Sequence, residues 1–174
     1  MHISLVGLPG SGKTTVGRQL ARRLRIPFVD SDHIIEQRLG CSIREYFERE
    51  GEDRFRDVEE SVIDQLTQNE SGLLSTGGGA VLRPANRLHL RQRCQVVYLN
   101  SSPDELFRRL RHDVNRPLLQ VADPLSRLRD LHALRDPLYR ETAHFVVETG
   151  RPSVTTLVGM IVMQLELAGL LPLN

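Results

Sequence analysis

Gly7-Leu8-Pro9-Gly10-Ser11-Gly12-Lys13-Thr14 is the stretch on which the reading of this chain turns. Its spacing is GxxxxGK[ST], and its setting matters as much as its letters. Before it, His2 to Leu8 is a short apolar run with β-branched content, which predicts a strand. After it, Thr14 to Leu24 carries apolar residues at helical spacing. A glycine-rich turn between strand and helix lets successive backbone N–H groups converge on phosphate oxygens at the positive end of the helix. Lys13 would reach the β- and γ-phosphates of a nucleotide, and the Thr14 hydroxyl would ligate magnesium. An ordinary glycine turn is the plainer alternative, and the strand-helix setting argues against it.

Lysine is otherwise absent. Of 23 basic residues, 22 are Arg and only Lys13 is Lys. With 174 residues, the chain is long enough for one domain with one core and too short for two ordinary ones. Hydrophobic residues make up 40%, charged residues 26%, and the formal net charge is +1. That balance speaks against disorder and leaves no electrostatic footprint for nucleic acid. The start Met-His-Ile-Ser-Leu-Val-Gly has no basic region and no long apolar run, and no membrane-spanning stretch follows, so a cytosolic protein is expected. Cys41 and Cys94 stand far apart without a CxxC or His-rich context, which predicts two reduced, inert thiols.

Further along, Ile26 to Val29 reads as a second strand, and the helix containing Ile34, Ile35 and Leu39 stops at Gly40. Ser42 followed by Glu45 predicts a capping box opening a short helix through Phe47, and Glu52 to Leu66 a longer amphipathic one. Leu73 to Ser75 is a brief strand running into Thr76-Gly77-Gly78-Gly79, and Pro84 to Arg91 is a helix. Val96 to Leu99 and Phe145 to Val147 are the remaining strands, with helices from Pro103 to about Leu110 and from Val154 to Leu167. Strands alternating with helical crossovers predict an α/β sandwich around a parallel sheet. The weakly periodic stretch 112–123 is expected to be a mobile lid between helices.

A nucleotide site alone does not separate a kinase from a switch GTPase, but an NKxD guanine selector is absent. Asp30-Ser31-Asp32 follows the second strand, where open parallel sheets bind ligands. Two carboxylates beside a magnesium triphosphate suggest a division of labour, one supporting the metal through water and the other taking an acceptor hydroxyl's proton. Either could instead only cap the helix that follows. Arg56, on the long helix, and Arg135, near a helix end, would match an acceptor carboxylate if both face the pocket; each could equally be a surface arginine. Arg116, in Asn115-Arg116-Pro117, would swing in from the lid to neutralise charge on the transferred group. Glu36, Glu59 and Glu60 are expected on solvated faces, and Tyr46, Phe47, Phe55 and Phe107 in the core.

Taken in order, GLPGSGKTT, FVDSD, GCSIREYF, GEDRFRDVE, TGGGAV, NRPLL and RDPLY make the chain resemble the shikimate kinase family over nearly its whole length. The resemblance implies a P-loop NTPase fold of the nucleoside-monophosphate-kinase type, a three-layer α/β/α sandwich on a five-stranded parallel sheet, with 1–174 as one kinase domain and a lid at approximately 112–123. It implies transfer of the γ-phosphoryl group of ATP to the 3-hydroxyl of shikimate, with Mg2+ as cofactor and a monomer sufficing. By the same resemblance, Gly10, Ser11, Gly12, Lys13, Thr14 and Thr15 would hold the phosphates, Thr14 and Asp30 would serve the metal, and Arg116 would touch ATP from the lid. Asp32, Arg56, Gly78, Gly79 and Arg135 would hold shikimate, with Asp32, Lys13 and Arg116 as catalytic groups. Arg109 would lie near adenine, and Arg151 would be a late adenine-loop contact, although Gly150-Arg151-Pro152 is short for the family's pattern. Ser75-Thr76-Gly77 also lacks the acidic residue many P-loop enzymes carry after the third strand, which leaves that duty to Asp30. A gluconate or nucleoside monophosphate kinase is the alternative; the DG[FY]PR segment of adenylate-type kinases is replaced here by TGGGAV.

Overall fold

The computed structural model describes residues 1–69, 71–111 and 121–173. Its centre is β1 (His2–Val6), all five residues of which are buried, as a central strand covered on both faces requires. Beside it lie β3 (Gly72–Ser75) and β4 (Gln95–Asn100), and outside these β2 (Phe28–Asp30) and β5 (Phe145–Glu148). The order is β2-β3-β1-β4-β5, every pair parallel, with Ser4 opposite both Leu74 and Val96.

Alternation along the strands builds two cores. Ile3, Leu5, Val97 and Leu99 face α1 (Lys13–Leu24) and α8 (Val154–Leu167), meeting Val16, Leu20, Leu157 and Ile161. Val6, Leu74, Val96 and Tyr98 face the opposite layer, meeting Ile63 of α4 (Glu52–Leu66), Leu90 of α5 (Pro84–Arg93), Leu106 of α6 (Pro103–Leu110) and Leu128 of α7 (Pro124–Thr142). A smaller cluster joins Ile35 of α2 (Ser31–Leu39) to Phe55 and Val62 of α4, and α3 (Ile43–Glu50) packs beside them. The three-layer α/β/α sandwich expected from the alternation is therefore present.

Helix starts follow side-chain chemistry. Ser42, Ser102 and Ser153 each accept a hydrogen bond from the backbone three residues on, at 3.1–3.2 Å, as the Ser42–Glu45 spacing foretold. Gly12, before α1, is different: its φ of 94° lies in the left-handed region, and no side chain caps the helix.

Two expectations are corrected. Arg135 does not lie near a helix end but well inside α7, which continues through Pro137 to Thr142. The missing Pro137 N–H costs one helical bond, yet the turn is held from outside. Asp136 binds Arg140 at 3.0 Å and the Tyr98 hydroxyl at 2.8 Å, and Tyr139 is wholly buried. Phe47 is exposed rather than core, while Phe55 is buried. The lid and Arg116 lie outside the described residues, apart from 121–123, which lead directly into α7.

Candidate active site

Because the strands are parallel, their carboxyl ends open on one side, and a cavity of about 380 Å³ sits there. One wall is the glycine loop, Pro9 to Gly10 and Gly12 to Thr15; another is Asp30 and Asp32; the third is Thr76, Gly77 and Gly78. Thr76 fixes the third wall by bonding through both its hydroxyl and its N–H to the Leu5 carbonyl, at 2.8 and 3.2 Å. Ser11 differs from its neighbours: its side chain is buried and its N–H bonds the Leu8 carbonyl at 3.1 Å.

Lys13 is buried, and its Nζ donates to the Gly7 and Leu8 carbonyls at 2.6 and 2.9 Å, which pins the ammonium over the loop. Asp30 has two functions. Its Oδ1 accepts the Asp32 N–H at 2.9 Å, capping α2, while its Oδ2 accepts the Thr14 hydroxyl at 3.2 Å. The helix-cap reading of Asp30 and the metal reading are thus compatible, since one oxygen serves each. Two adjoining hard oxygens suit Mg2+, which takes one or two protein ligands and completes its shell with water and substrate phosphates. Among the described residues, no group of three or more His, Cys, Asp or Glu could hold a metal alone.

The Asp32 carboxyl is pushed up to about 6, first by burial and then by Asp30 and Glu59, with Lys13 pulling the other way. It packs on the Gly77 backbone, where a Cβ would come within 2.6 Å of Oδ1. The next glycines receive other partners. A Cβ on Gly78 would lie 2.6 Å from Pro9 Cδ and 3.3 Å from Arg135 Nη1, and one on Gly79 would overlap the Arg56 guanidinium. The triplet is therefore the seam where the carboxylate and both arginines meet, and side chains would fill that seam.

Glu59, expected on a solvated face, is instead 1% exposed beneath this seam and binds Arg56 Nη1 at 2.8 Å. Burial pushes its carboxyl up, and the Arg56 and Arg135 guanidiniums oppose that rise without cancelling it. Among the described residues, Arg56 Nε and Arg135 Nε are buried without hydrogen-bond partners, Arg56 Nε lying 3.5 Å from Glu52 Oε1, which leaves Arg135 donor capacity for an anion. Glu60 does meet the expectation of a surface ion pair, 3.8 Å from Arg83. Glu36 accepts the Ile43 N–H at 3.0 Å, a local tie between α2 and α3.

On the far side of the glycine loop, Arg109 donates to the carbonyls of Gly10 and Thr149, both at 3.3 Å, and lies 3.4 Å from the buried Glu105. Glu105 in turn accepts the Thr149 hydroxyl at 3.0 Å. Arg151 is exposed, in the turn that follows. Gly77, Pro9, Glu59 and Glu105 were not singled out from sequence. The i, i+3 pair Arg56–Glu59 and the i, i+4 pair Glu105–Arg109 were visible as spacings, but burial separates them from ordinary surface pairs. Cys94 is buried, its thiol pushed up to about 12, in keeping with an inert role.

Comparison with known proteins accords with this geometry. The family model described as shikimate kinase matches residues 9–166. A shikimate kinase of Paracidovorax citrulli is 62% identical over 99% of this chain and 96% of its own. The structure of an Acinetobacter baumannii shikimate kinase in complex with shikimate superposes with a TM-score of 0.90 at 48% identity, covering 97% of this chain and 93% of that one. A Sinorhizobium meliloti gluconokinase shares the fold alone, at 18% identity and a TM-score of 0.53 over 96% of each chain. The chain belongs to the shikimate kinase family.

Proposed function

We propose that this protein transfers the γ-phosphoryl group of ATP to the 3-hydroxyl of shikimate, with residues 1–174 acting as one kinase domain. The observation that carries the reading is the seam at Gly77 to Gly79. Asp32, Arg56 and Arg135 each come against this one glycine backbone, and Asp32, Gly77 and Gly78 share a cavity with the phosphate loop.

ATP phosphates lie along Gly10 to Thr15, with Lys13 leaving its loop carbonyls for the β- and γ-oxygens. Arg109 covers the adenine side, Arg151 adds a late contact there, and Arg116, outside the described residues, would lend its charge to the phosphates. Thr14 and Asp30 would hold Mg2+. The ion, when bound, offsets charge on the triphosphate. Arg56 and Arg135 take the shikimate carboxylate, and the Gly78 and Gly79 backbone meets the ring. Asp32 orients the 3-hydroxyl. The O3–P bond forms as the bond from the γ-phosphorus to the β,γ-bridging oxygen breaks, and the O3 proton passes to Asp32 and on to solvent. Since the transition state is loose, positioning contributes more than basicity.

Gluconate and nucleoside monophosphate are the weaker acceptors, because the gluconokinase likeness extends to fold alone. A monomer in the cytosol is the working assumption; among the described residues no helix is long and apolar enough to cross a membrane. Two-dimensional phosphorus–proton NMR of the product tests the regiochemistry. Coupling of the new phosphorus to H3 of the ring is expected, and coupling to H4 or H5 would contradict the pose.

A further inference from the structure

We propose that Tyr139 is a positioning residue for the acceptor half of the site, its hydroxyl tying the Gly78 carbonyl and the Arg135 side chain into one unit. The proposal rests on the acceptor reading above for its kinetic consequence, while the tie itself is a matter of structure.

Tyr139 is 0% exposed on α7, and its hydroxyl donates to the Gly78 carbonyl at 2.5 Å. Arg135 stands one turn earlier on the same helix face, and its Nη1 is 3.3 Å from where a Gly78 Cβ would be. Burial pushes the phenol up to about 12, against the charge and hydrogen bonding of Arg135. A phenol has one proton and two lone pairs, so giving the proton to Gly78 leaves the oxygen able to accept from a guanidinium.

The ring is fixed from behind. Its centroid lies 4.9 Å from that of Tyr98, whose hydroxyl donates to Asp136 at 2.8 Å and lies 3.0 Å from Asn100 Oδ1. Asp136 is the neighbour of Arg135, so the network returns to the residue it steadies. Were Tyr139 only a packing residue, the ring would be sufficient and the hydroxyl dispensable. As a tie, the hydroxyl sets which way the Gly78 peptide faces, and with it the approach of the glycine backbone to the ring of the acceptor.

Tyr139→Phe separates these, because the ring is kept. Steady-state kinetics with each substrate varied should show shikimate KM rising about tenfold, the loss expected when one buried carbonyl is left unpaired, with ATP KM unchanged. Amide hydrogen exchange of the peptide covering residues 76–82, measured on the same two proteins without substrate, should become faster in the variant. Unchanged exchange overturns the tie whatever the acceptor. Faster exchange in the variant, together with a wild-type protein inactive on shikimate, would sustain the tie and overturn the acceptor assignment. Equal rises in both KM values would overturn the positioning role.

Discussion

The Asp32 carboxylate rests on the backbone of Gly77, so closely that one added methyl group would come within 2.6 Å of Oδ1. Asp32 arrives from the first turn of α2 and Gly77 from the loop after β3, and these meet because β2 and β3 pair in parallel with Asp30 opposite Ser75. The proton acceptor of the proposed reaction is thereby held by a backbone that has no side chain to yield.

Gly77→Ala should therefore leave the fold in place and damage the chemistry. Gly77 is outside the left-handed region, so alanine fits its backbone and the clash falls on Asp32 alone. A displacement of the carboxylate by an ångström should lower kcat about 100-fold. Thermal melting beside single-turnover kinetics checks this; unaltered turnover would show that Asp32 need not sit where it does.

The raised Asp32 carboxyl makes a pH prediction with a definite sign. Below about 6 the group is protonated and cannot accept the hydroxyl proton, so kcat/KM for the acceptor should fall on the acid side with a midpoint near 6. Stability runs the opposite way. A folded-state value of about 6 against 3.8 ordinarily means that ionised Asp32 opposes folding above pH 6. The penalty fades as pH falls through 6 and is gone below about 4. Asp32→Asn should thus stabilise the protein at pH 8 by about 1–3 kcal/mol and have no such effect at pH 4. Denaturant titrations at the two pH values measure the difference, and a variant less stable at pH 8 would contradict the strained ionised carboxylate.

Glu59 is the buried counter-charge of the acceptor arginines. Glu59→Gln should raise acceptor KM about tenfold without touching ATP KM, since Arg56 would lose the charged partner that aims it at 2.8 Å. Equal acceptor KM in variant and wild type would reduce Glu59 to a fold determinant.

Most of the architecture was legible from the chain. The strand-turn-helix setting of Gly7 to Thr14 and the continuous apolar run of Val96 to Leu99 have local causes, and local causes can be read. Asp30, Asp32 and the glycine triplet were also legible, because carboxylates and glycines at strand ends are conspicuous. Three features were not. Glu59 has the spacing of a surface pair, and only the packing of α4 against the sheet buries it. Pro137 is a helix breaker by propensity, overridden by the contacts of Asp136 and Tyr139. Tyr139 read as the end of RDPLY, with no local hint that its hydroxyl reaches across 61 residues to Gly78.

The most direct test of the central claim is a coupled ADP-release assay with Mg-ATP and, in turn, shikimate, gluconate, AMP, CMP or no acceptor, on wild type and Asp32→Asn. ADP release that requires shikimate in the wild type and is lost in Asp32→Asn is the predicted result. Release driven by another acceptor, or undiminished in Asp32→Asn, would contradict it.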